Sequence, residues 1–139
     1  YGLVGSEMCI RDSAKLIGTA VAAANMGWIA SFVLISLIYI YSHYCFASVT
    51  ARISAMYAAF VAVAAACGVP AMLVAITFGC FANLPISLTH YGNGCGPVYF
   101  GAGYVSQGEW WRNGFIITTI NVVIWLTIGM AWWKFIGLY

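Results

Sequence analysis

The sequence predicts an all-α fold: part of a polytopic membrane protein with a re-entrant helical hairpin, a discontinuous transmembrane helix and a final full-length transmembrane helix. Three observations point there. The 139-residue chain is 64% hydrophobic and only 6% charged, with a mean hydropathy of +0.96, whereas soluble domains carry roughly 25% charged residues. No Lys, Arg, Asp or Glu occurs between Arg52 and Glu109, a charge-free run of 56 residues. Inside that run, residues 84–97 (LPISLTHYGNGCGP) interrupt the hydrocarbon with glycine, proline and hydroxyl groups. Unpaired backbone polar groups are costly in lipid, so irregular backbone at that depth must be packed in protein or line a wet cavity. The break therefore reads as the place for a solute site.

Residues 1–13 are set aside from fold reasoning. The run LVGSEMCIRDS (residues 3–13) back-translates, codon by codon, into a transposase adapter used in sequencing libraries. The native region is then residues 14–139, expected to be the C-terminal part of a longer protein. Its charged residues are Lys15, Arg52, Glu109, Arg112 and Lys134. They are too few and too scattered for a nucleic-acid partner. The lipid bilayer is the expected surroundings, in a multi-pass protein.

The hairpin is expected at about residues 28–66. Its first arm follows Asn25-Met26-Gly27 and runs from Trp28 to about His43. A polar tip spans residues 42–50, and an alanine-rich second arm spans residues 51–66. That arm measures about 24 Å at 1.5 Å per residue, short of the roughly 30 Å hydrocarbon core. Gly68-Val69-Pro70 closes it, a helix-stop signal. The broken helix is expected at about residues 70–105. Pro70 suits the first turn of its first half and Pro97 that of its second. Residues 107–113 (QGEWWRN) read as an interfacial segment. The last helix follows at about residues 114–133, with Trp132, Trp133 and Lys134 as its anchor.

Polar groups gather at two places. Ser42, His43, Ser48 and Thr50 lie in the first tip; Ser87, Thr89, His90 and Asn93 lie in the break. The triplets Ser42-His43-Tyr44 and Thr89-His90-Tyr91 echo each other but are too short to establish a repeat. Hydroxyls at Ser48 and Thr50 can cap free N–H groups or meet an anionic ligand at a helix end that carries about half a positive charge. Gly92, Gly94 and Gly96 allow backbone N–H groups to approach a ligand, or simply make turns. His90 and His43 can donate hydrogen bonds to carboxylates or pack as structural histidines. Arg52 can attract a dianion, snorkel, or pair with an acid.

No catalytic set stands out. The native region has no Asp, its only acid is Glu109, and the five cysteines show no metal or redox spacing. An enzyme is not expected, nor is a bound cofactor.

The stretches SHYCFASVTA (42–51), NLPISLTHYGNG (83–94), PVYFGAGYV (97–105), GEWW (108–111) and AWWKFIGLY (131–139) together resemble the divalent anion:sodium symporter family. The branch they resemble contains citrate/succinate antiporters and 2-oxoglutarate/malate translocators. The likeness runs over nearly all of residues 14–139. It implies an elevator-type secondary carrier of di- or tricarboxylates such as malate, succinate, citrate or 2-oxoglutarate, working as a homodimer together with an upstream part not contained in this sequence. It also implies that Ser48, Thr50, Thr89, His90, Gly92, Asn93 and Gly94 hold substrate. Sodium is the coupling ion the family suggests. Val49, however, stands where the family motif has Asn and supplies no amide, which argues against a sodium site at this tip and for exchange. Sodium- or proton-coupled symport is the alternative. A non-transporting membrane subunit, its break only a packing kink, is the alternative of another class.

Overall fold

A computed structural model describes residues 27–139 together with Asp12, Leu16 and Thr19. The stretch read as adapter therefore lies outside the described residues apart from Asp12. Among the described residues the structure is all-helical, without strands. Helix α1 (Trp28–Tyr41) runs into a 3-10 turn (Ser42–Cys45) and, after Phe46 to Ser48, into α2 (Val49–Ala66). Helix α3 (Ala71–Phe81) is followed by a second 3-10 turn (Leu84–Ser87), an irregular stretch, and the short α4 (Gly96–Gly101). Helix α5 (Gln107–Phe135) closes the chain and contains a π-helical stretch at Trp125–Gly129.

Among the described residues, three segments are long and apolar enough to cross a membrane: Trp28–Cys45, Val49–Ala66 and Gln107–Phe135. The chain is thus a polytopic all-α membrane protein segment of the expected class: a hairpin, an interrupted helix and a long last helix.

Several boundaries differ from the sequence reading, each for a local reason. Helix α2 has 18 residues because Ser48, in extended conformation, starts it at Val49. Its end is a Schellman motif. Gly68 takes φ +82°, its N–H donates to Ala65 O (3.0 Å), and the Val69 N–H donates to Ala64 O (3.2 Å). Helix α4 stops at Gly101, shorter than expected. Helix α5 begins at Gln107, well before residue 114, because Ser106 and Glu109 form a capping box. Glu109 N–H donates to Ser106 Oγ (3.4 Å) and Ser106 N–H donates to Glu109 Oε2 (2.9 Å). The "interfacial" QGEWWRN is its first two turns.

The core sits between α1, α2 and α3. Phe32, Ile35 and Tyr39 of α1 meet Phe60 of α2 and Leu73, Phe78 and Phe81 of α3, all buried. The Tyr39 ring stacks on Phe78 with centroids 4.9 Å apart and interplanar angle 5°. Each such side chain contributes about 1.5–3 kcal/mol through burial, and the aromatic pairs fix the relative placement of the three helices.

Val122 and Trp133 of α5 join that core, and Trp125 meets Phe81 edge-on (centroids 6.3 Å), while the start of α5 packs against the break. Gly114 is buried there, and a Cβ added to it would overlap the Ser87 carbonyl, so only glycine lets the backbones come this close. Ser87 Oγ and Thr118 Oγ1 hydrogen-bond at 3.3 Å, and Tyr41 OH and Thr119 Oγ1 at 2.7 Å. Its opposite face, with Ile116, Ile120, Val123 and Ile128, stays exposed in this chain. That stripe suits hydrocarbon or further protein.

Candidate functional site

The hairpin tip and the break in the interrupted helix meet. The Val49 N–H, first of α2, donates to Gly92 O at 3.1 Å. Tyr91 OH donates to Tyr44 O at 2.9 Å, and the Tyr44 and Tyr91 rings both pack on Trp111 (centroids 5.6 and 6.5 Å). Two polar stretches more than forty residues apart in sequence are thereby joined from both sides. The Gly92 contact uses only one of the first-turn N–H groups that a helix leaves without internal partners.

Ser48 is the N-cap of α2, yet its hydroxyl makes no capping hydrogen bond. Both Ser48 and Thr50 are exposed. A helix start with uncommitted N–H groups and two open hydroxyls is electropositive and rich in donors, suited to a carboxylate.

Thr89 lies behind this surface. It is wholly buried, and its Oγ1 has no hydrogen-bond partner among the described residues. Gly92 is buried beside it: a Cβ there would lie 2.6 Å from Thr89 Oγ1 and would overlap His43 Nε2. Position 92 must therefore be glycine because two side chains already occupy the space.

His43 is the residue the sequence reading left out of the site. It is fully buried, and neither ring nitrogen has a partner among the described residues. Buried polar atoms are nearly always satisfied, and leaving one unmade costs about 1–3 kcal/mol. His43 and Thr89 converging on Gly92 thus form a buried polar floor whose hydrogen-bonding capacity the described residues do not use. The one sequence signal for it was the echo between Ser42-His43-Tyr44 and Thr89-His90-Tyr91, whose members the fold does bring together.

The remaining expected residues divide. His90 is half-buried, stacks on Phe100 (4.3 Å, 28°), and its Nδ1 accepts from Trp111 Nε1 at 3.4 Å. Asn93 spends its amide on the fold. Its Oδ1 accepts from the Cys95 N–H (2.9 Å) and the Gly96 N–H (2.5 Å), and its Nδ2 donates to Ile86 O (3.2 Å). It thus takes the N–H of Gly96 at the start of α4, one of the backbone donors in the glycine-rich stretch. Gly94 is exposed, with open space around it. A cavity of about 500 Å³ opens on the far side of the break, where Asn93, Gly94 and Tyr99 face Trp110. Ser48, Thr50 and Thr89 do not line it. Among the described residues no group of His, Cys, Asp or Glu is arranged to hold a metal ion.

Arg52 follows one turn into α2 and is fully buried. Its Nη1 donates to Tyr39 O (2.8 Å), and its Nη2 to Ala82 O (2.6 Å) and Phe81 O (3.5 Å). Its guanidinium carbon lies 4.7 Å from the Tyr39 ring centroid. The side chain neither snorkels nor meets a carboxylate among the described residues. It is spent on carbonyls.

Comparison with known proteins gives this geometry a context. Residues 13–139 match the family model described as the sodium:sulfate symporter transmembrane region. Over all 139 residues the chain is 42% identical to dicarboxylate transporter 1, chloroplastic, of Arabidopsis thaliana, covering 24% of that protein. It is 48% identical to the protein of the same name from Spinacia oleracea, covering all of this chain and 23% of the relative. YflS of Bacillus subtilis (strain 168), whose name assigns it to malate transport, is 48% identical over 118 residues, 85% of this chain and 25% of the relative. The chain spans about a quarter of the length of these relatives. All three are transporters, not enzymes. With membrane-length apolar helices, an interrupted helix tied to a hairpin tip, and a family match across nearly its whole length, the chain belongs to the sodium:sulfate (divalent anion:sodium) symporter family of membrane transporters.

Proposed function

We propose that this chain supplies part of the substrate site of a secondary carrier for dicarboxylates, working by exchange and by an elevator-type movement within a homodimer. The observation that carries the reading is the hydrogen bond from the Val49 N–H to Gly92 O (3.1 Å), which seats the start of α2 on the break while the Ser48 and Thr50 hydroxyls stay open. One substrate carboxylate binds there, its oxygens taking the two hydroxyls and the first-turn N–H groups. Such charge-assisted hydrogen bonds are roughly twice as strong as neutral ones. Thr89 and His43 form the polar floor beneath Gly92, and Gly94 gives the backbone room at the rim. The second carboxylate is held by the upstream part of the carrier. The names of the plant and Bacillus relatives support a dicarboxylate such as malate, and the citrate and 2-oxoglutarate named above belong to the same chemical class.

Val49 favours exchange over sodium coupling because it brings only a backbone N–H, already donated to Gly92, where an Asn would add an amide oxygen. The test is labelled malate exchange in proteoliposomes, using a full-length carrier that contains this sequence. Ser48→Ala and Thr50→Ala should each lower the exchange rate by about tenfold, the loss of one or two hydrogen bonds to a charged group. Wild-type exchange in both variants refutes the site. Uptake that follows a sodium gradient and ignores internal malate refutes exchange. A purified protein that malate does not stabilise thermally would be a membrane subunit of another kind.

A further inference from the structure

A buried cation with no acidic partner among the described residues needs an explanation, because unpaired charge in an apolar setting is costly. Arg52 has one in the ends of two other helices. Tyr39 O belongs to the last turn of α1, and Phe81 O and Ala82 O to the end of α3. Tyr39 O also accepts from the Ser42 hydroxyl at 2.7 Å. Carbonyls at a helix end have no backbone partner within the helix, and each helix C-terminus carries about half a negative charge. Two such ends together balance one guanidinium. The planar fork spans both, which a lysine ammonium, a single compact charge, could not do.

The position of this contact matters as much as its charge balance. The Arg52 N–H donates to Ser48 O (3.1 Å), so Arg52 closes the first turn of α2 on the residue that opens it. From that turn its side chain grips the end of α3, two residues before the 3-10 turn that starts the break. The side chain is fully buried and its hydrogen bonds go to these carbonyls, whereas Ser48 and Thr50 are exposed.

We infer that Arg52 is a positioning residue for substrate binding: it clamps the C-terminal ends of α1 and α3 to the start of α2, setting the placement of Ser48 and Thr50 over the Thr89–Gly92 floor, and is not itself the charge that attracts the anion. This rests on the dicarboxylate site proposed above and says which residue holds that site in register.

The test compares Arg52→Lys with Arg52→Gln in a full-length carrier containing this sequence, reconstituted at matched abundance. Transport of labelled succinate is measured, with monomethyl succinate as the singly charged competitor. Because misplacing binding groups by about 1 Å can cost up to about a hundredfold, both variants should raise KM for succinate about tenfold, with Vmax changed far less. The preference for succinate over its monoester should stay at the wild-type ratio. Wild-type KM in Arg52→Lys together with a lost preference in Arg52→Gln would make Arg52 the anion-attracting charge and overturn the inference. A lowered melting temperature with unchanged KM in both would make it a purely structural residue, with the same consequence. Should neither variant reach the membrane, Tyr39→Leu removes the ring under the guanidinium and leaves the three carbonyls. It should raise KM about threefold, and an unchanged KM overturns the clamp. A wild-type carrier that transports no dicarboxylate fails the site itself, an outcome separate from all of these.

Discussion

His43 and His90 sit in matching triplets, each between a hydroxyl residue and a tyrosine, and the fold treats them in opposite ways. His90 is half-buried, stacked on Phe100 and supplied with a donor by Trp111. His43 is sealed from solvent and, among the described residues, both its nitrogens lack a partner, as does the neighbouring Thr89 Oγ1. The tyrosines converge instead, since Tyr91 OH donates to Tyr44 O and both rings meet Trp111. A local sequence pattern thus decides which residue types stand at a bend. Whether their polar atoms are spent or held in reserve depends on what the rest of the chain packs against them, and a reserve of unspent polar atoms is common at functional sites.

The largest expected effect comes from filling the space between the two triplets. Gly92→Ala puts a Cβ against His43 Nε2 and Thr89 Oγ1. Overpacking costs about 1–3 kcal/mol, and the carrier should lose most of its exchange activity together with a clear drop in melting temperature. Near-normal exchange in this variant would mean that the floor is loose and the comparison has no mechanical basis.

A middle-sized effect separates the histidines. His43→Leu removes unsatisfied buried nitrogens, so it should keep or raise stability by about 1 kcal/mol, yet lower exchange severalfold. His90→Phe keeps the stack on Phe100 and loses one long hydrogen bond, so exchange should stay within about twofold of wild type. Exchange rates and thermal melts on the two variants check this, and the reverse ranking would move the functional weight back to His90.

The smallest effect lies away from both triplets. Ser106→Ala breaks the capping box of α5 and should cost about 1 kcal/mol of stability while leaving KM for malate as it is. A changed KM would show that the start of α5 is coupled to the tip through Trp111.

Much of the architecture was legible. The charge-free run, the Gly68-Val69-Pro70 stop and the Gly- and Pro-rich break marked where helices begin and end, since lipid leaves few ways to satisfy a backbone. Ser106 with Glu109 was an equally readable capping signal. It was passed over because the tryptophans and charges of residues 107–113 looked interfacial. The partners of Arg52 could not be read, because they are carbonyls, present at every residue, and only the three-dimensional arrangement selects Tyr39, Phe81 and Ala82. The partners of Asn93 were equally hidden, since its amide oxygen accepts from backbone N–H groups two and three residues ahead.

The widened turn at Trp125–Gly129 has a consequence for how the end of the last helix sits in the membrane. Twenty-nine residues of helix measure about 43 Å, too long for the hydrocarbon layer, so the last turns must be steered. Trp133 is tucked inside while its neighbour Trp132 and Lys134 face outward. A π-helical turn is an α-turn that holds one extra residue. Removing one residue there, Thr127 for instance, would therefore leave an ordinary turn and keep Trp133 inward. The same deletion in the α-helical turns before it would swing everything beyond by about 100°. The inward tryptophan would then face lipid, and the chain would lose its mooring at the headgroups.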